Sequence, residues 1–296
     1  DVTIISIPEH EVVATIPATK TGPYPDDVAA APDGKTIFIN RLTKKDVVAI
    51  DTKTEEVLFT VPMGGTPHHM TMSRDGRFLY VPMFDGEVLK IIDVAQKKAV
   101  GEVEIGLGAH ATRLSPDGKR LYVGHIHYQS IMIIDLATNK VIKTIEFDRG
   151  VRPFEISPDE KRLYVQTSNM SGFHVVDIET GRIMQTVTMP TPPSTRQLTW
   201  PHTIDHGLAL THDGKRLLAA GTLANRVAVF SLPDMTVLAD IPVGTEPNWI
   251  TLSKDERFAY VSNRDDDTIS VIAMDTLREL KRIPTGDLPQ RMKVVS

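Results

Sequence analysis

An Asp-centred turn recurs along the chain at a fixed interval: Pro32-Asp33-Gly34, Arg74-Asp75-Gly76, Pro116-Asp117-Gly118, Pro158-Asp159-Glu160, His212-Asp213-Gly214 and Lys254-Asp255-Glu256. Successive Asp residues are 42, 42, 42, 54 and 42 apart, which is one unit of 42 with a single insertion of 12. A repeat of this length is one supersecondary unit that cannot bury its apolar face alone and must stack on its neighbours. No other feature restricts the fold as much.

Each unit reads as four short strands. In the second unit the runs 68–73, 78–82, 88–93 and 99–105 are rich in Val, Ile and Tyr and are bounded by Gly, Pro and Asp, which is strand-and-turn chemistry. No segment keeps a helical period over three turns. Four antiparallel strands every ~40–45 residues are the pattern of propeller blades. A Gly-x-x-Pro marker precedes the turn in Gly22…Pro25, Gly64…Pro67 and Gly244…Pro247. It returns in Gly286…Pro289, which would put a seventh turn Asp at 297. The expectation is one all-β domain over 1–296, a seven-bladed β-propeller of four-stranded antiparallel blades. Its last blade is shared by the N-terminal runs 2–7 and 12–16 and the C-terminus, and the insertion over 190–205 lies on the face of the blade-to-blade links.

Composition narrows the chemistry. With no Cys, disulfides, iron–sulfur clusters, thiolate-bound zinc and thiol catalysis are excluded. Thirty-three basic against 38 acidic residues give a net charge of −5, without the basic stripe of a nucleic-acid binder. No run of 18 apolar residues is present to span a membrane.

The residue after the marker Pro begins the innermost strand at one mouth of the propeller. That slot holds Asp26, His68, His110, Arg152, His206, Asn248 and Gln290. Ten His in 296 residues would place about 0.24 in seven positions by composition alone, yet three are there. His69, the pair His125 and His127, and His202 in the insertion map to the same face, while His10, His174 and His212 lie elsewhere. Adjacent strand residues face opposite ways, so His69 joins the others only if its strand starts irregularly after Pro67. A thiol-free imidazole set suits copper, iron or zinc. Three His from separate blades would leave open coordination positions. Asp26 would handle protons and Arg152 would supply fixed positive charge, as catalytic groups. Asn248, Gln290, Trp200 and Trp249 would contact a small-molecule substrate. The alternative is structural: a polar funnel lined by chance with His, Trp packed between blades, and Met63, Met70, Met72 and Met83 filling the core.

The second strands carry Tyr80-Val81-Pro82-Met83, Tyr122-Val123-Gly124-His125, Tyr164-Val165-Gln166-Thr167 and Tyr260-Val261-Ser262-Asn263. With the Ser-Pro-Asp-Gly turns, this resembles the YVTN family of seven-bladed propellers, in which Asn stands at the place of His125. That resemblance implies a periplasmic or extracellular protein. The mouth, with its adjacent His68-His69, is similar to the copper sites of nitrous oxide reductase and thiocyanate dehydrogenase. It implies His68, His69, His110, His125, His127, His202 and His206 as ligands of a copper-dependent oxidoreductase that works with an electron-transfer partner. The chain has no Cys-containing electron-transfer domain and is shorter than either. A redox-silent metal-dependent lyase or hydrolase, as in streptogramin-lyase-like propellers, and a non-catalytic metal-binding or interaction propeller are the alternatives.

Overall fold

A computed structural model describes residues 1–7, 9–190 and 203–295. Within them the Asp turns are built as their repetition predicts. In the second unit Asp75 Oδ1 accepts from Ser73 Oγ at 2.6 Å and from the Arg77 N–H at 3.0 Å, while Ser73 Oγ accepts from the Phe78 N–H at 2.8 Å. The same triangle recurs around Asp117, Asp159 and Asp255. Thr211 replaces the Ser beside Asp213. These bonds to the ionised form hold Asp75, Asp117, Asp159 and Asp213 below the usual carboxylate range and bring Asp255 down to about 2.

The turns join antiparallel meanders, giving an all-β propeller of four-stranded blades. Six four-stranded sheets follow in chain order over 25–62, 71–104, 109–146, 151–187, 208–242 and 247–284, and a two-stranded sheet pairs Val2–Ile5 with Val12–Ile16. The one helix among the described residues, Ala18–Thr21, is a single turn between Pro17 and Gly22, too short to register as a helical period. No helix among the described residues is long and apolar enough to cross a membrane.

The chain divides into two compact units, one built on Thr15–Val151 and the other on Thr3–Ala14 with Arg152–Val294. In the first, apolar residues of adjacent blades interlock: Phe38, Val47, Met63, Met70, Leu79 and Met83 form one buried cluster. The methionines are therefore core filler, their thioethers packed against aliphatic and aromatic neighbours. Cutting a fully buried Leu79 to Ala would cost about 3–4 kcal/mol.

In the second unit the expected sharing between termini takes a reduced form. Ile5 and Met292 both pack on the last blade beside Tyr260 and Val271, and His10 Nδ1 lies 2.9 Å from the Tyr260 hydroxyl. The C-terminal residues run alongside without entering a sheet: Ser262 Oγ donates to the Gln290 carbonyl at 2.8 Å and Thr251 Oγ1 to that of Met292 at 3.1 Å. The closing module thus has two strands assigned, both N-terminal, among the described residues.

Candidate metal centre

The slot residues sit where the ladder slips. In the third blade Ala109 pairs with His125 and Ala111 with Gly124, so His110 is the extra residue of a β-bulge. Asn248 occupies the same place between Pro247 and Trp249, and Asp26 lies in the interruption between Pro25 and Val28. A bulge releases one residue from pairing and re-aims its side chain.

The second blade departs furthest from regularity. Its first strand, expected over 68–73, is reduced to Thr71–Met72 after an isolated bridge from Pro67 to Met83. The reason lies in the backbone donors. The His68 N–H reaches the Pro82 carbonyl at 2.9 Å, but that of His69 goes to the carbonyl of His110 in the next blade at 3.3 Å. The Met70 N–H turns the other way, to Asp27 Oδ2 in the preceding blade at 2.7 Å. With the pleat suspended, consecutive imidazoles need not oppose each other, and His68 and His69 converge.

Three buried imidazoles result. The rings of His69 and His110 are 4.2 Å apart, those of His68 and His69 5.3 Å, and those of His68 and His110 5.5 Å, centre to centre. One ring nitrogen from each lies within 4.8 Å of the others, the one such group among the described residues. An ion bonded at ~2.0–2.1 Å to three imidazoles at tetrahedral angles sets its nitrogens about 3.3 Å apart, so small ring rotations would complete the site. Asp26 Oδ2 lies 3.5 Å from His69 Nε2 and 3.8 Å from His68 Nδ1. Phe84 stacks on His68 at 4.7 Å and makes one wall apolar.

Asn40, wholly buried, positions the carboxylate side. Its Oδ1 accepts from the Asp27 N–H at 2.5 Å, and its Nδ2 donates to the Pro67 carbonyl at 3.0 Å and to Asp26 Oδ2 at 3.5 Å. It ties the blade that carries Asp26 to the peptide just before His68. Asn40 is not among the expected site residues, although it aligns with the third residue of the Tyr-Val motif.

The other candidates fall elsewhere. His125 is buried opposite Ala109, and desolvation brings its imidazole down to about 4; it lies outside the three-histidine group. His127 is exposed near Phe84, at 5.1 Å. Gly108 beside it has φ +75°, and a Cβ there would lie 2.5 Å from the His127 ring. His202 and Trp200, with most of the 190–205 insertion, lie outside the described residues.

His206, Arg152, Asn248, Gln290 and Trp249 belong to the second unit. His206 Nδ1 faces the Asn248 carbonyl at 2.9 Å, which requires the proton on Nδ1. Gly207 permits that approach: its φ is +133°, and a Cβ there would meet the same carbonyl at 3.0 Å. Burial, then the charge of Arg291, holds His206 well below its ordinary range. Arg291 was not anticipated, although it takes the same place relative to its marker Pro289 as His69 does to Pro67. Its Nη1 donates to Asn248 Oδ1 at 3.0 Å, and its guanidinium lies 4.5 Å over the Trp249 ring.

A family model described as lactonase, 7-bladed beta-propeller, matches residues 7–295. No curated protein matches. Among solved structures, a chain titled Kuenenia stuttgartiensis hydrazine synthase aligns with a TM-score of 0.77 at 22% identity, over 90% of this chain and 88% of that one. The likeness is one of fold.

Proposed function

The chain belongs to the seven-bladed lactonase β-propeller family, and we propose that within this fold it is a metal-dependent enzyme whose ion is held by His68, His69 and His110. The observation that carries this reading is the convergence of three buried imidazoles, from two blades, on one focus. Neutral imidazole without thiolate suits copper best among the candidates, so the favoured activity is oxidation or reduction of a small substrate. The ion, when bound, would supply the redox change and an open position for substrate. Asp26 would accept or return the proton that accompanies electron transfer, with Asn40 fixing its orientation. Phe84 would keep water from the His68 side. Electrons would pass to or from a separate partner in the periplasm or extracellular space.

The family's description favours one second reading, opening of a lactone ring. A redox-silent ion on the same three imidazoles would polarise the ring carbonyl, and Asp26 would take the proton of the attacking water.

Elemental analysis and electron paramagnetic resonance of untagged protein loaded with Cu(II) or Zn(II) separate these readings. One Cu(II) per chain with a nitrogen-ligated signal, lost in His110→Ala, supports the first. Preferential zinc uptake with acid release from a lactone in a pH-stat supports the second. Substoichiometric metal and an unchanged melting temperature on adding either ion would reject both in favour of a non-catalytic propeller.

A further inference from the structure

The second unit contains a buried cation that the metal reading does not use. Arg152 is 8% exposed. Its Nε donates to the neutral Ser168 hydroxyl at 2.8 Å, and no carboxylate among the described residues lies within ion-pair distance of it. Arg264 shows the ordinary solution, with Glu246 at 3.9 Å. Buried charges are as a rule paired. Burial, and then the like charge of Arg291, brings Arg152 down to about 10. A buried guanidinium held by a neutral hydroxyl is destabilising unless an anion completes it.

A second observation is independent of charge. Gln166 is wholly buried; its Oε1 accepts from the Gly207 N–H at 2.7 Å, which fixes the amide's orientation. Its Nε2 therefore faces away from Gly207, and it donates to nothing among the described residues. An amide N–H left so is destabilising unless a ligand accepts from it. Gln166 belongs to the strand Arg162–Thr167 of the blade whose first strand, Val151–Ile156, carries Arg152.

We infer that Arg152, Gln166 and Arg291 form a binding site for a small carboxylate. The Arg152 fork would hold the two oxygens, the Gln166 amide would donate to one of them, and Arg291, seated on Trp249, would supply the second charge. The planar guanidinium matches a carboxylate in two parallel hydrogen bonds. This site lies wholly in the second unit and does not depend on metal at the histidines.

Calorimetric titration of the full chain in EDTA, at constant ionic strength, tests it with benzoate and acetate as probes. Benzamide and acetamide are the neutral controls. Carboxylates bind and raise the melting temperature while the amides do neither; Arg152→Gln weakens benzoate at least tenfold. In anion-free buffer Arg152→Gln melts no lower than wild type, because it removes an uncompensated charge. Arg152→Lys, which keeps the charge and loses the fork, weakens benzoate at least threefold and serves if the Gln variant does not fold. Equal binding of benzamide and benzoate, wild-type affinity in either variant, or a lower melting point of Arg152→Gln without loss of a benzoate effect overturns the assignment.

Discussion

The backbone N–H of His69 donates to the carbonyl of His110 at 3.3 Å, and the two imidazoles lie 4.2 Å apart. The partners are 41 residues apart, about one repeat. A donor that would ordinarily extend its own sheet is given to the next blade, and Thr112 Oγ1 returns a bond to the His69 carbonyl at 2.7 Å. This inter-blade stitch suspends the pleat at His68-His69 and produces the candidate metal centre.

Replacing His110 by Ala is expected to lower Cu(II) or Zn(II) affinity by more than about 100-fold, since loss of a supporting group alone costs ~10–100-fold. The variant should still unfold in one cooperative step, because the deleted ring belongs to a bulge and not to an apolar cluster. Calorimetric titration beside thermal melting by circular dichroism checks both; retained affinity would remove His110 from the ligand set.

Asp26→Asn keeps shape and removes charge. Ion affinity should fall about 10–100-fold if the carboxylate orients or neutralises the centre. Asn40→Ala should cost about 2–3 kcal/mol of stability, because the Asp27 N–H and the Pro67 carbonyl lose their buried partner. Urea unfolding reads the second effect and ion titration the first.

His125 gives the fold a definite acid limit. Its folded-state value is about 4 against an ordinary 6.5, so the unfolded chain binds the proton more readily. Stability is then full above pH 6.5 and declines as pH falls toward 4, by up to about 3 kcal/mol from this group. His125→Asn should flatten the pH dependence of the urea midpoint in that window; an unchanged slope would show that His125 is not its source.

Two of the Asp turns place Glu where others have Gly. Glu160 and Glu256 have φ of 54° and 53°, and Gly34, Gly76, Gly118 and Gly214 occupy the same left-handed position at 70°, 73°, 74° and 68°. Glu160→Gly should stabilise by about 0.5–1 kcal/mol, the relief of Cβ crowding less the entropy of a more flexible unfolded chain. Glu256→Gly also removes the acceptor of the His212 N–H at 2.6 Å, which offsets part of the same relief. Chemical denaturation of each variant measures the net change.

The repeating units, their Asp turns and the polar slot after each marker Pro were legible in the amino-acid order, because each depends on contacts within a few residues: Ser73 with Asp75, Asp75 with the Arg77 N–H. A 42-residue period also implies stacking, since no unit could cover its own apolar face. Which imidazoles meet was not legible. His125 and His127, two apart at a strand end, are both expected as ligands, yet one is buried opposite Ala109 and the other is exposed. His68 and His69, which a regular pleat would separate, converge. The difference is made by where the His69 and Met70 N–H groups find acceptors, on His110 in one neighbouring blade and Asp27 in the other. Those acceptors are brought within reach by packing between modules, and their distances in space are written nowhere in the linear chain.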